Sequence, residues 1–300
     1  MKKTIRIGSR DSVLAVKQAQ IVMNTVKETY PDIEFELITI KTSGDKIQNK
    51  NLETVGGKGL FIKELEQALI DGNIDIAVHS YKDMPYEETE GLSVVALSKR
   101  EAPFDVLVLP KGIDRIDNSK PVGSSSRRRT IQFARLYDRL KIKGLEIKPV
   151  RGNVLTRLSK LDNGDYAALI LAQAGLNRLD LQDRISRIFT IDEMIPSASQ
   201  GILAVQGRQG GDYSYLENFH SRESEIVSKA ERQFLKTLGG GCSSPVAVYG
   251  HLFNSELLLT GMYVDPYDHV EIGKINGSAE KPDLLGETLA EQLRAKAEQR

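Results

Sequence analysis

PVGSSSRRRTIQFARLYDRL, residues 121–140, passes from a short apolar stretch through three hydroxyl residues and three arginines into an amphipathic run. Gly123–Ser126 read as a glycine–serine turn, and the residues after it as a helix with one apolar face. EAPFDVLVLP (101–110) supplies a strand ahead of it. LEIKPVRGNVLTRLSKLDNG (145–164) repeats strand, turn and helix, and YAALILAQAGLNRL (166–179) does so again. Three strand-to-helix passages within about 80 residues predict a doubly wound α/β sheet with its ligand crevice at the carboxyl ends of the strands.

The same rhythm holds toward the amino terminus. TIRIG predicts a strand, and Asp11 or Ser12 can cap a helix whose apolar positions run from Val13 to Val26 and which Pro31 ends. IEFELITI, IDIAVHS and LSVVALS predict further strands, and GLFIKELEQALIDG a helix closed by Gly72. PSASQGILAVQGR (196–208) holds another strand, set apart from the second unit and able to return to the first sheet. From residue 222 the pattern changes: a helix over ESEIVSKAERQFLKTL, alternating strands over VAVYGHLF, ELLLTGMYVD and HVEIGKING, then a closing helix. That predicts a small α+β domain with an antiparallel sheet. No internal repeat of solenoid period and no low-complexity tract is present.

The 300 residues suit two or three domains. Lys+Arg and Asp+Glu both number 41, so the overall field offers nothing to nucleic acid or an anionic membrane, and any charge-driven binding is local. The start, MKKTIRIGSRDS, has no apolar run behind its basic residues, and no segment is long enough to cross a bilayer. The expectation is a soluble cytoplasmic protein. Cys242, the one cysteine, can form no internal disulfide and has no companions for a zinc or iron–sulfur set. Buried packing and reactivity both remain open for it.

The local chemistry lies at the predicted turns. GSSSRRR (123–129) puts backbone N–H groups, a helix dipole and guanidinium forks where an anion can sit; a solvated basic face is the plainer alternative. Arg151 and Arg157 in RGNVLTR, Arg178 in AGLNR, Arg10 and Ser12 in IGSRDS, and Lys58 in GGKGLF place further cations and a hydroxyl at almost every turn of one rim. Such a rim in a chain of zero net charge suits a ligand with several negative groups. Phosphate is less favoured than carboxylate, because no GxxxxGK[ST] loop, GxGxxG fingerprint or acidic pair for magnesium occurs. Against the cations stands Asp83 in AVHSYKDMP (77–85). It reads either as a structural ion pair or as an acid facing positive charge on a substrate. His79 reads as satisfying a local hydrogen bond, and Lys82 as holding an ion pair.

In order and wording these motifs resemble the porphobilinogen deaminase family. The likeness runs through IGSRDSVLAVKQA, GGKGLFIKELE, AVHSYKDMP, VGSSSRRR, RGNVLTRLSKLD, LAQAGLNRL, PSASQGILAVQGR and LGGGC. The resemblance implies two periplasmic-binding-protein-like doubly wound lobes plus a small C-terminal α+β domain. By that pattern residues 1–99 with 198–217 form the first domain, 103–195 the second and 222–300 the third. It implies a dipyrromethane cofactor on Cys242 through a thioether, with no metal. In the family's reaction porphobilinogen loses ammonia to give an azafulvene-like electrophile, which the growing chain's terminal pyrrole attacks. Four condensations and a hydrolysis yield hydroxymethylbilane. Asp83 is then the catalytic residue, stabilising the cationic intermediates and the pyrrole N–H groups. Lys58, Ser80, Lys82, Asp83, Ser124, Ser126, Arg128, Arg129, Arg151 and Gly152 fall to the cofactor, and Arg10, Ser12, Arg151, Arg157, Arg178 and Gln200 to the substrate. The resemblance also favours a monomer without nucleic-acid or membrane partners. Tyr81, Arg127 and Leu155 depart from the family's usual Met, apolar and polar residues, and the acid usual near Gln206 is missing. An organic-anion-binding protein of the two-lobed receptor type is the alternative, and it would need no covalent cofactor. A regulatory ligand-binding domain would need a DNA-binding element, and no basic helix-turn-helix pattern precedes the first unit.

Overall fold

The computed structural model describes residues 4–42, 62–141, 144, 146–240 and 245–299. It divides into two compact units, Met1–Glu101 with Ile202–Glu225, and Ala102–Gly201 with Ile226–Arg300.

The first unit is built on strands β1 (Thr4–Arg10), β2 (Glu34–Ile40), β3 (Ile76–Ser80), β4 (Leu92–Leu97) and, after the chain has left and returned, β10 (Leu203–Arg208). Their order is β2-β1-β3-β10-β4, with β1, β2 and β3 parallel and β10 antiparallel to both neighbours. Helix α1 (Val13–Thr29) starts at Ser12, whose side chain accepts the Ala15 N–H. Its residues Ala19, Val22 and Val26 pack on Ile5, Ile7, Ile76 and Val78. Helix α2 (Lys63–Ile70) covers the other face, where Leu65 and Leu69 meet Ala77 and Leu92. Ile76 and Val78 point one way and Ala77 the other, as a strand covered on both faces requires.

The second unit repeats the plan with β5 (Asp105–Val108), β6 (Val122–Gly123), β7 (Ile147–Lys148), β8 (Ala168–Ala172) and β9 (Arg187–Ile188), ordered β7-β6-β8-β5-β9. Here β6, β7 and β8 run parallel and β5 antiparallel. Leu107 and Leu109 join Phe133, Leu136, Ala168 and Ile170 on one face; Val106 and Val108 join Leu158, Leu161, Leu169 and Leu171 on the other. Phe133 belongs to helix α3 (Arg127–Arg139), and Leu158 and Leu161 to α4 (Val154–Asp162). Each such buried side chain is worth about 1.5–3 kcal/mol. A short helix, α5 (Gln173–Arg178), follows β8 directly.

The same unit holds the antiparallel sheet β11 (Ala247–Phe253), β12 (Glu256–Val264) and β13 (Val270–Ser278), with helices α6 (Arg222–Thr237) and α7 (Pro282–Glu298). The two helices pass so closely at Gly286 that a Cβ there would lie 2.1 Å from the Ala230 carbonyl oxygen. Ala247, Met262 and Val264 bury themselves with Ile195, which ties this sheet to the segment leaving the second one. The fold is the predicted class, two mixed α/β sheets and a small antiparallel sheet. The β5 strand, expected simply to open the second sheet, is its antiparallel member.

Candidate functional site

Because β1 and β3 are parallel neighbours, their carboxyl ends share one edge of the first sheet. Arg10 ends β1 and Ser12 caps α1 there. Ser80 ends β3, and its Oγ accepts a 2.9 Å hydrogen bond from Nε2 of Gln18, a buried residue of α1. The chain then makes a single 3-10 turn, Tyr81–Asp83, in which Tyr81 and the following Met84 are buried and Asp83 is exposed. Tyr81 thus anchors the turn, with its N–H donating to Ile202 O at 3.0 Å, while Asp83 faces outward. Lys82 is half-buried.

His79 lies one residue before this edge and is buried. Burial pushes its imidazole down to about 4; the Gln206 side chain opposes the shift and the charge of Arg10 adds to it. Nε2 of His79 and Oε1 of Gln206 have no hydrogen-bond partner among the described residues. Gln206 donates from Nε2 to Glu66 Oε1 at 2.9 Å.

At the corresponding edge of the second sheet, β6 leads into Ser124–Ser126, β7 leads to Arg151 and Gly152, and β8 leads into α5 with Arg178. Ser124 is buried, and its Oγ accepts the Ser126 N–H at 3.3 Å. Ser126 is the N-cap of α3 but makes no side-chain capping bond. Gly152 has φ +111°, and a Cβ there would come within 2.7 Å of Thr156 Cγ2, so this turn requires glycine. Arg157 Nε donates to Gly152 O at 2.8 Å, and Lys160 Nζ to Arg151 O at 3.2 Å. Arg178 Nη2 donates to Gly201 O at 2.6 Å.

Arg128 and Arg129 are buried, at 5 % and 8 % exposure, and converge on Asp105, which is fully buried. Arg128 Nη1 donates to Asp105 Oδ2 at 2.7 Å and to Ile195 O at 2.6 Å. Arg129 Nε donates to Oδ1 at 2.9 Å and Nη1 to Ile170 O at 3.1 Å. Gln200 Nε2 donates to the same Oδ1 at 3.1 Å and to Pro103 O at 2.6 Å. Burial by itself raises the Asp105 carboxyl, but the charges of Arg128 and Arg129 outweigh it and hold the group well below the usual carboxylate range. The antiparallel course of β5 explains the meeting. Asp105 is paired with Ala172, so the amino end of β5 stands at the carboxyl edge of β8. Two guanidinium groups and one carboxylate leave one positive charge in a dry place, a setting complementary to an anion.

Arg127, first in the same run, turns away and pairs with Asp268 at 2.6 Å on the surface. The helix phase thus separates the three arginines, two inward and one outward. Leu155 is 41 % exposed. Lys58 and Cys242 lie outside the described residues. Sequence reasoning overlooked Asp105 and Gln18. For Asp105 a signal existed, since a carboxylate opening the apolar run DVLV has to be paired if that strand is buried. Gln18, one amide on an amphipathic helix, left none. No group of three or more His, Cys, Asp or Glu suited to a metal occurs among the described residues. No described helix is long and apolar enough to cross a membrane.

Two family models match this chain. Porphobilinogen deaminase, dipyromethane cofactor binding domain, matches residues 5–215, and porphobilinogen deaminase, C-terminal domain, matches residues 226–295. Among curated relatives, the porphobilinogen deaminase of Acetivibrio thermocellus is 53% identical over 289 residues, covering 96% of this chain and 97% of that one. That of Alkaliphilus oremlandii is 51% identical, covering 98% of each chain. That of Neisseria meningitidis is 41% identical, covering 97% of this chain and 94% of the relative. Among solved structures, the methionine binding protein MetQ aligns with a TM-score of 0.43 and 13% identity, over 74% of this chain and 92% of that one, a likeness too slight to carry an argument. With models spanning both parts of the sequence and relatives matching it nearly end to end, the chain belongs to the porphobilinogen deaminase family.

Proposed function

We propose that Cys242 is the thioether anchor of the cofactor, that Asp83 stabilises positive charge on the substrate, and that the arginine-lined strand ends hold carboxylates. The family sets the activity: porphobilinogen is the substrate, the cofactor is dipyrromethane, and the product serves tetrapyrrole biosynthesis. The observation carrying the residue assignment is the buried Arg128–Arg129–Asp105 cluster with its surplus positive charge. Each pyrrole unit carries acetate and propionate, so a growing chain is a polyanion. Guanidinium forks and hydroxyls are the donor set that such a ligand needs.

When bound, dipyrromethane supplies the terminal pyrrole carbon onto which units are joined. The protein's part is positioning and electrostatics. Asp83, exposed on a turn anchored by Tyr81, can accept pyrrole N–H donors and oppose the cationic charge that develops as ammonia departs. Arg128, Arg129, Arg151, Lys58, Lys82, Ser80, Ser124, Ser126 and Gly152 serve the cofactor side in this reading. Arg10, Ser12, Arg157, Arg178 and Gln200 serve the incoming substrate. Three functional modules follow, 1–99 with 198–217 bearing the acid, 103–195 bearing most arginines, and 222–300 bearing the cysteine. The enzyme acts as a cytoplasmic monomer in this proposal, with no nucleic-acid partner.

Intact mass tests the anchor. The expected result is a chain heavier than its sequence by one dipyrromethane, with the excess on the Cys242 peptide and absent after Cys242→Ala. An unmodified chain with full activity would sink the assignment. Such a chain is what a two-lobed anion receptor predicts.

A further inference from the structure

Glu231, on α6, is fully buried. Its Oε2 accepts the Ser199 N–H at 2.6 Å and its Oε1 accepts the Gly250 N–H at 2.7 Å. These are charge-assisted bonds, about twice as strong as neutral ones. Ser199 is a non-glycine residue at φ +58°, a left-handed backbone that persists only where its surroundings fix it. Its own Oγ is buried without a partner among the described residues, so the hold is on the backbone.

The two residues that follow continue the connection. Gln200 donates to Asp105 Oδ1, the oxygen that also receives Arg129 Nε. Gly201 O receives Arg178 Nη2. Three consecutive residues are thus fastened in turn to Glu231, to the Arg128–Arg129–Asp105 cluster and to Arg178. Helix α6 itself ends at Thr237, five residues before Cys242.

We propose that Glu231 is a positioning residue for Arg178, which holds a substrate carboxylate in the reading above, and for the neighbouring Arg128–Arg129 pair, acting through the backbone of Ser199–Gly201. It links the cysteine-bearing module to the arginine-bearing edge without touching substrate. The inference rests on the carboxylate role given above to Arg178 and its neighbours.

The test compares Glu231→Gln, Arg178→Leu and Leu289→Ala in the full-length, cofactor-loaded enzyme. Leu289 is buried against Gly261 and serves as a control that only weakens packing. In Glu231→Gln, one amide hydrogen bond is replaced by opposed donors. Hydrogen exchange of the 196–201 segment, read without substrate, should quicken, and KM for porphobilinogen should rise about tenfold with kcat much less changed. Leu289→Ala should lower the melting temperature and leave KM alone. If Glu231→Gln quickens exchange while KM stays put and Arg178→Leu raises KM, the coupling is wrong and the arginine reading stands. If Arg178→Leu also leaves KM unmoved, the arginine reading fails and takes the coupling with it. Should Glu231→Gln not fold, Glu231→Asp, which keeps the charge but shortens the reach, is read in the same way.

Discussion

The two five-stranded sheets follow one strand order, yet they keep their charge in opposite places. At the carboxyl edge of the first, the carboxylate of Asp83 stands in solvent, and the buried polar group beside that edge, His79, is held neutral. At the equivalent edge of the second, a carboxylate and two guanidinium groups lie inside, fixed by hydrogen bonds to one another and to backbone carbonyls. A dry site cannot leave a lone ion unsatisfied, so Asp105 is tolerable only with Arg128 and Arg129 around it. The reward is orientation, since donors fixed before a ligand arrives need no reorganisation. The acid on the first sheet is wet and accessible. In the proposed role, a group that meets a succession of pyrrole rings gains more from access than from rigidity.

The largest effect that separates the two edges should come from Asp83→Asn. Its fold should survive, because the side chain is exposed, while turnover falls roughly a hundredfold to a thousandfold. Steady-state kinetics with circular dichroism checks both halves, and near-normal turnover refutes the electrostatic role. The mirror case is Asp105→Asn, where stability is lost first. Two buried guanidinium groups without a counter-charge should cost about 3–5 kcal/mol, measured by urea unfolding at neutral pH. The stabilisation that Asp105 gives the wild type is present above the ordinary Asp pKa of 3.8, because its folded pKa is depressed, and it is lost as acid carries the pH below that value.

His79 sharpens the contrast from the other side. Its folded pKa is about 4 against an ordinary 6.5, so folding favours the neutral imidazole. The contribution is complete above 6.5 and drains as the pH falls toward 4, by at most roughly 3 kcal/mol. His79→Gln should flatten that part of the stability profile in urea titrations run across this range. If wild type and variant lose stability in parallel, the imidazole is not buried in its neutral form. The smallest effect belongs to the exposed pair Arg127–Asp268, with side chains 51% and 69% accessible. Asp268→Ala should change the unfolding free energy by less than about 1 kcal/mol, and less still in high salt.

Much of this arrangement could be read from the residues. A cap at Asp11 or Ser12, which the structure places on Ser12, the strand Ile76–Ser80 and the alternation that sends Val106 and Leu107 to opposite faces follow from local pattern. The basic turns were legible because arginines recurred at strand ends. What pattern could not reveal was pairing across distance. Asp105 and Arg128 are 23 residues apart and meet only because β5 runs antiparallel to β8. The two-residue strands β7 and β9 are too short to show a period, so their pairing is set by neighbours rather than by their own sequence. Glu231 looked like any charge on an amphipathic helix, and nothing nearby in sequence announces the amides it receives.

The strand order also has a consequence for synthesis. Each sheet's antiparallel member, β5 in one and β10 in the other, is the first strand laid down after the chain has changed sheets. A polypeptide made only as far as Gly201 contains every described strand of the second sheet. The first sheet still lacks β10, and β4, whose neighbour among the described strands is β10, has nothing to pair with. For the two five-stranded sheets the usual amino-to-carboxyl order of completion on the ribosome is therefore inverted, and the edges of β3 and β4 stay open to wrong partners until residue 208 has emerged.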